Sequence, residues 1–208
     1  MLHKEAVDAS ILDLLKLLQS KEYLKGFSLA GGTALALYFG HRNSLDIDLF
    51  SNFNFDAAGM LENINQDFSF QLFNSASNTL TGSIANIKVD IIAHRYPYIT
   101  PPNIHDDISI LSEHDIAAMK LNAISTSGQR IKDFIDLFYL LDKFNLADIL
   151  SCYQTKYNQQ NQTHILKSLI YFDDVDLSDW PILIKDPQLK WSQIRKRIEK
   201  AVMLYVDK

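Results

Sequence analysis

The stretch from Phe27 to Phe50, FSLAGGTALALYFGHRNSLDIDLF, decides how this chain is interpreted. A glycine pair, Gly31-Gly32, separates a short apolar run from a segment with helical spacing. The stretch ends in Asp46-Ile47-Asp48, where carboxylates alternate with apolar residues as in a strand. A glycine turn that opens a helix can hold an anion, and two carboxylates on one strand face can hold a divalent cation. Together these features indicate nucleotide chemistry.

The composition is that of an ordinary globular protein. The 208 residues are 47% hydrophobic and 22% charged, with a net charge of −5, which suits a sizeable core. The negative charge argues against nucleic-acid binding by bulk electrostatics, but it leaves room for an RNA held by a local patch. A lone cysteine and the lack of a signal-peptide pattern or a membrane-length apolar run lead us to expect a cytoplasmic protein with no membrane contact.

Hydrophobic periodicity predicts an α+β fold, a small mixed sheet flanked by helices followed by a helical part. The predicted strands are 27–30, 45–50, 68–73, 80–84, 87–93 and 108–111, and the predicted helices include 4–20, 33–39, 56–66, 129–144, 146–154, 162–171 and 191–206. Prolines make residues 96–105 a loop. We therefore expect a core over residues 1–105 and a helical subdomain over 106–208 that closes a cleft.

A third carboxylate strengthens the site hypothesis. Asp90 lies in the apolar strand Lys88–Ile92, and on a neighbouring strand it would complete a cluster with Asp46 and Asp48. Each feature alone also has a plain structural interpretation. An isolated Asp-x-Asp is more often a solvated edge, a glycine pair often only marks a turn, and Asp90 alone would be an outward-facing residue.

In this order, the three features resemble the nucleotidyltransferase superfamily typified by DNA polymerase beta. Three further segments narrow the resemblance to the AbiEii/AbiGii toxin family of nucleotidyltransferases. They are Asp115–Ile124, then Arg130-x-Lys132-Asp133-Phe134-x-Asp136, and near the end Tyr171-Phe172-Asp173-Asp174 with a later Trp191 before a helix. The resemblance runs from about residue 4 to the C-terminus.

The resemblance implies a polymerase-beta-like domain that uses Mg²⁺, as two ions, and an NTP. It also implies the toxin of a bacterial abortive-infection or toxin–antitoxin pair, beside a cognate antitoxin. Some relatives add nucleotides to tRNA, so an RNA or tRNA acceptor is expected. The expected reaction is attack by an acceptor hydroxyl on the α-phosphate of the NTP, with release of pyrophosphate.

Site roles follow from the same resemblance. Asp46, Asp48 and Asp90 are expected to bind metal, with Asp90 serving the ion that activates the hydroxyl. Gly31, Gly32 and the Thr33 hydroxyl are expected to hold the triphosphate, since helix N-termini favour phosphate.

Two further groups complete the predicted site. Lys120 would reach the phosphates across the cleft, or would be a snorkelling surface lysine. Arg130 would contact the nucleotide, and Asp133 or Asp136 would orient Lys120 or contact the nucleotide. Alternatively, the three residues would form ion pairs within one helix. Arg42 would reach a phosphate or pair with Asp46 or Asp48.

Two other functions remain open at this stage. Transfer to a small molecule or to a protein side chain is a close rival, and the negative net charge mildly favours it. A non-catalytic binding module with the same fold is a different class, against which the intact set of Asp46, Asp48 and Asp90 argues. The basic stripe on the last helix is either a solvated face or a surface for an RNA stem.

Overall fold

A computed structural model describes residues 2–207 of the chain. Its centre is one mixed sheet of seven strands in the order β3-β4-β5-β2-β1-β7-β6. The strands are β1 (Ser28–Leu29), β2 (Ile47–Ser51), β3 (Phe70–Ala76), β4 (Thr79–Ile84), β5 (Ile87–Ala93), β6 (Asn103–His105) and β7 (Ile108–Ile110). The helices are α1 (Ala9–Gln19), α2 (Gly31–Phe39), α3 (Ala57–Asp67), α4 (Glu113–Thr126), α5 (Ile131–Lys143), α6 (Leu146–Tyr157), α7 (Thr163–Leu169) and α8 (Trp191–Val206). The predicted α+β class is confirmed.

The predicted helix over residues 4–20 is wrong at its start. A single 3₁₀ turn at Lys4–Ala6 is followed by extended backbone at Val7, which bridges Ser44 in parallel. Helix α1 then begins after Asp8, whose side chain accepts a hydrogen bond from the backbone N–H of Ser10. The aspartate caps a new helix because its carboxylate satisfies an otherwise unpaired N–H group.

The sheet extends beyond the proline-rich loop. Strand β7 pairs in parallel with β1, and β6, within the segment predicted to be a loop, pairs with β7. The strand β6 was missed because three residues are too short for a periodic signal. One sheet thus contains strands from both sides of residue 105, and the proposed division at that residue stays a prediction.

The pairing of β2 with β5 positions the candidate site. The two strands run parallel, and Ile47, Asp48 and Leu49 lie opposite Val89, Asp90 and Ile91. Because side chains alternate across a strand, the apolar residues of both strands share the buried face and the carboxylates share the other face.

Helix α2 is almost entirely buried. It packs against β2, α4 and α5, and Ala34 to Leu37 are all inaccessible to solvent. It ends at Gly40, whose left-handed backbone (φ +61°) provides the C-terminal stop. None of the helices between residues 2 and 207 is long and apolar enough to cross a membrane.

Candidate active site

Asp48 and Asp90 are direct neighbours on adjacent parallel strands. Asp46 immediately precedes β2, two residues before Asp48, and lines a cavity together with it. The structure thus places Asp90 beside Asp48 and Asp46 close to Asp48, but within residues 2–207 it does not gather the three carboxylates into one group. Their roles as metal ligands stay a prediction.

The carboxylates are poorly neutralised by the protein. Burial, together with repulsion from Asp90, raises the pKa of Asp48 to about 6. Asp90 Oδ2 lies 2.5 Å from Lys88 Nζ, whereas its Oδ1 atom is buried and finds no hydrogen-bond partner among the residues described. A buried carboxylate oxygen with no partner is costly, and a bound cation would relieve that cost.

Donor type and charge at this site fit a divalent metal. Hard cations such as Mg²⁺ prefer carboxylate oxygens, and the unpartnered Asp90 oxygen is available to one. Within residues 2–207, however, no three acidic, histidine or cysteine side chains are already grouped to hold a metal ion. Asp90 Oδ2 instead contacts Lys88, so a metal that used this oxygen would have to displace the ammonium.

The glycine pair lets the backbone of α2 approach two site side chains. A Cβ atom at Gly31 would lie 2.1 Å from Asp48 Oδ2, and one at Gly32 would lie 2.2 Å from an Arg42 guanidinium nitrogen. Gly31 also has a φ of +66°, which disfavours other residues. In the described part of the chain, no side chain caps the first N–H groups of α2. These groups therefore remain suited to an anion.

Thr33 holds Asp46 in place. Its hydroxyl is buried, 2.5 Å from the Asp46 carbonyl oxygen and 2.8 Å from Ser44 Oγ. The side chain is thus committed to the loop that carries Asp46. The predicted contact of this hydroxyl with the triphosphate stays a prediction.

A buried charge network joins the loop after α2 to helices α4 and α5. Asp136 is fully buried and accepts two hydrogen bonds from Arg42, with Nε at 2.8 Å and a terminal nitrogen at 3.0 Å. Lys120 Nζ lies 2.7 Å from both Asp133 Oδ1 and Asp136 Oδ2. Arg42 therefore pairs with Asp136 rather than with Asp46 or Asp48, and Lys120 is a buried ion-pair partner rather than a snorkelling surface lysine.

For Asp136 and Lys120, the effect of nearby opposite charges on the pKa exceeds the effect of burial. Burial alone would raise the pKa of Asp136, but Arg42 and Lys120 hold it well below its usual range. Burial alone would lower the pKa of Lys120, and the two aspartates raise it instead. His41 also contacts Asp136, at 2.8 Å, yet burial lowers the pKa of its ring. The pKa directions are those of a charged Arg42–Asp136–Lys120 cluster beside a neutral imidazole.

Two cavities meet at this site. The Asp90 cavity, of about 300 Å³, is lined by Asp90, Lys120 and Asp133 together with Phe50, His94 and Tyr157. The Trp180 cavity, of about 320 Å³, is lined by Arg42, Asp46, Lys132 and Trp180. Both are bordered by Gly32, Asp48 and the exposed Arg130. Asp136 and Thr33 line neither cavity, whereas the other predicted site residues each line at least one of them.

Sequence reasoning missed three residues here. Lys88 could have been noticed, because it lies two positions before Asp90 and so on the same strand face. His41 and Trp180 carried no local signal, since their partners are distant in the sequence. Trp180 lines the site because of the path of the loop of residues 173–187, and this loop has no hydrophobic periodicity from which its path could be predicted.

Comparison with known proteins gives concordant results. The model of the family described as "Nucleotidyl transferase AbiEii toxin, Type IV TA system" matches residues 13–207. The uncharacterized protein aq_aa25 of Aquifex aeolicus (strain VF5) is 30% identical over 187 residues, which cover 87% of this chain and 88% of that protein.

Two solved structures share the fold. MenT4, a nucleotidyltransferase toxin from Mycobacterium tuberculosis H37Rv, superposes with a TM-score of 0.67 at 15% identity, over 96% of this chain and 82% of that one. JHP933 from Helicobacter pylori gives a TM-score of 0.54 at 17% identity, over 95% and 92% of the two chains. At these identities the likeness concerns the fold.

Proposed function

Because the chain belongs to the nucleotidyl transferase AbiEii toxin family, we propose that it transfers a nucleoside monophosphate from an NTP to an acceptor hydroxyl. The acceptor oxygen forms a bond to the α-phosphorus while the bond from that phosphorus to the β-phosphate bridging oxygen breaks, so pyrophosphate leaves. The observation that carries this proposal is the position of Asp48, where two cavities meet. A transfer between two substrates needs such a meeting point.

Asp46, Asp48 and Asp90 are the proposed ligands of two Mg²⁺ ions. When bound, the ions would neutralise the developing charge on the phosphate and favour the deprotonated acceptor hydroxyl. The Asp90 Oδ1 atom, which has no partner among residues 2–207, is the oxygen proposed to bind an ion, and the Asp90 carboxylate would take up the proton of that hydroxyl. The high pKa of Asp48 supports the same assignment, because its charge is left without an adequate counter-ion.

Positive and N–H groups around the carboxylates would hold the triphosphate. The first N–H groups of α2, at Gly31 and Gly32, supply a polarised anion site. Arg130 is exposed and borders both cavities, so it is free to bind a phosphate. Lys120 lines the Asp90 cavity with its ammonium fixed by Asp133 and Asp136. We assign Asp136 a positioning role, because it is enclosed by Arg42, His41 and Lys120.

The Asp90 cavity is the proposed acceptor site, and RNA, such as the end of a tRNA, is the proposed acceptor. Phe50, His94 and Tyr157 give it aromatic walls, and aromatic faces stack with nucleic-acid bases of any sequence. We further propose that the protein acts in the cytoplasm as a toxin whose activity is restrained by a cognate antitoxin.

Transfer to a small molecule or to a protein remains the second candidate, favoured by the net charge of −5. Incubation with each α-³²P-labelled NTP, Mg²⁺ and either total tRNA or a protein lysate separates the two. We expect label in the tRNA fraction. Label found only in protein or in small molecules would show that the acceptor is one of these and not RNA.

The variant Asp48→Asn tests catalysis itself. It should transfer no label, and its expression should not arrest growth. Growth arrest by a folded Asp48→Asn variant that transfers no label would favour a non-catalytic binding module. Label transfer by that variant at the wild-type rate would overturn the proposed site.

A further inference from the structure

The loop of residues 173–187 is fixed to both walls of the Trp180 cavity. At one end the backbone N–H of Asp176 donates to Gln129 O at 2.8 Å, beside Arg130. At the other end the N–H of Asn43 donates to Ile182 O, and the N–H of Ile184 donates to His41 O, both at 2.9 Å. Between these anchors Lys132 and Asp179 form an ion pair at 2.6 Å. Trp180 is thus held at the cavity although it lies in an irregular segment.

The residues that line the Trp180 cavity divide by chemistry into two kinds. The apolar kind comprises Trp180, Pro181 and Ile182, which are consecutive in the chain, and Leu45. Of these, Ile182 is 71% exposed and Leu45 is 66% exposed. The polar kind includes the charged groups described above, among them Asp46, Asp48 and Arg130.

This division matches the two ends of one molecule. A nucleoside triphosphate has a flat, largely apolar base at one end and a highly charged phosphate chain at the other. The volume of about 320 Å³ is at the lower end of the range for small-molecule sites. No group that the proposed reaction uses explains why Leu45 and Ile182 remain uncovered at this cavity.

We propose that Trp180, with Leu45 and Ile182, forms the subsite for the nucleobase of the NTP. This proposal rests on the proposed function, since it deepens the same site. The base would lie against the indole, and the triphosphate would extend towards Gly32, Arg130 and the carboxylates. The Asp90 cavity, which Asp48 also lines, stays free for the acceptor.

The chain offers a direct spectroscopic test because it has two tryptophans. Trp191 packs edge-to-face on Phe134 and Phe172, with centroid distances of 5.7 and 5.5 Å, and does not line the Trp180 cavity. In the Trp191→Phe variant, Trp180 is the only fluorophore of its kind. Titration with a non-hydrolysable NTP analogue and Mg²⁺ should quench or shift its emission. The matched variant Trp180→Phe, which keeps Trp191, should show no such change.

Binding measurements provide the second arm. By calorimetry, Trp180→Ala should bind the NTP analogue about 5- to 100-fold more weakly than wild type, as expected for the loss of one stacked base. The same variant should bind inorganic triphosphate as tightly as wild type, because that probe lacks a base. Equal loss for both probes would show collapse of the loop instead and would overturn the proposal.

The outcomes separate this inference from the proposed function. In one outcome, Trp180→Ala binds the NTP analogue as tightly as wild type while the Trp180 emission of Trp191→Phe stays unchanged on titration. This outcome would overturn the base subsite and leave the proposed nucleotidyl transfer intact. Failure of the wild-type protein to bind any NTP by calorimetry would overturn both. If Trp191→Phe does not fold, the difference between wild-type and Trp180→Phe emission gives the same information.

Discussion

Gly31 and Asp48 are in such close contact that the backbone of one and the carboxylate of the other leave no room for a methyl group. The distance of 2.1 Å from a Cβ at position 31 to Asp48 Oδ2 makes the glycine a condition for the acidic site. The turn that we propose to bind phosphate is thereby placed directly against a candidate metal ligand.

This contact predicts a non-additive pair of substitutions. Gly31→Ala should destabilise the protein by about 2–4 kcal/mol, from steric conflict and a positive φ together. In the Asp48→Ala background the same change should cost only about 1–2 kcal/mol, because the nearest remaining Asp48 atom is then Cβ, at 3.3 Å. Urea denaturation of the four proteins measures the coupling, and strictly additive costs would contradict the contact.

Removal of the Asp48 charge should stabilise the metal-free protein. Because burial and Asp90 raise the pKa of Asp48 to about 6, its ionised form costs the fold energy at neutral pH. Asp48→Asn should raise the free energy of unfolding by about 1–3 kcal/mol in EDTA. Asp13→Asn, on the exposed face of α1, is the control for charge and should change it by less than about 0.5 kcal/mol. If the Asp48→Asn protein were less stable than wild type, the ionised Asp48 would not be destabilised by burial and by repulsion from Asp90.

Lys88 is predicted to compete with divalent cations. Its ammonium lies 2.5 Å from Asp90 Oδ2, so a metal that binds this oxygen must displace it. In Lys88→Met, the Mn²⁺ concentration that gives half of the maximal rise in Tm should fall about two- to fivefold, as expected for loss of a partly exposed ion pair. Lys88→Arg keeps the charge and should behave like wild type. Identical midpoints for Lys88→Met and wild type would exclude competition.

The difference in stability between wild type and Asp136→Asn should depend on pH. Asp136→Asn leaves Arg42 and Lys120 with reduced compensation in a buried place, which should cost about 3–5 kcal/mol at pH 7. Arg42 and Lys120 lower the pKa of Asp136 in the folded state. Its stabilising contribution is therefore complete above the ordinary carboxyl pKa of 3.8 and is lost as the pH falls through the lowered value.

The measurement is urea denaturation of wild type and Asp136→Asn at pH values from 7 down to 3. The difference between them should stay constant near neutrality and shrink in acid. Asp142→Asn is the matched control on the same helix, since Asp142 makes only surface ion pairs with Arg197 and Lys185. Its cost should be below about 1 kcal/mol, and an equal cost for both variants would argue against the buried network.

The alternation of apolar and polar residues was enough to predict the two strands that carry the acidic residues. It was not enough to predict the side chains that surround them. Alternation in Leu45–Phe50 and Ile87–Ala93 marks two strands, and β5 has the predicted bounds. Arg42 and Asp136 are 94 residues apart, so no periodicity connects them. The position of Trp180 is equally invisible to periodicity. Its loop is anchored to Asn43 and Gln129 by backbone hydrogen bonds, which do not depend on particular side chains.

The buried ion-pair network also bears on how the enzyme would turn over. Arg42 lies in the loop after α2 and Asp136 lies in α5, so swinging α5 away from that loop would break a buried ion pair. At a cost of about 3–5 kcal/mol, roughly one molecule in a thousand would be open at any moment. A hinge between these two elements would therefore contribute little to the selection of substrates. Discrimination would fall to the shape and chemistry of walls that are already in place.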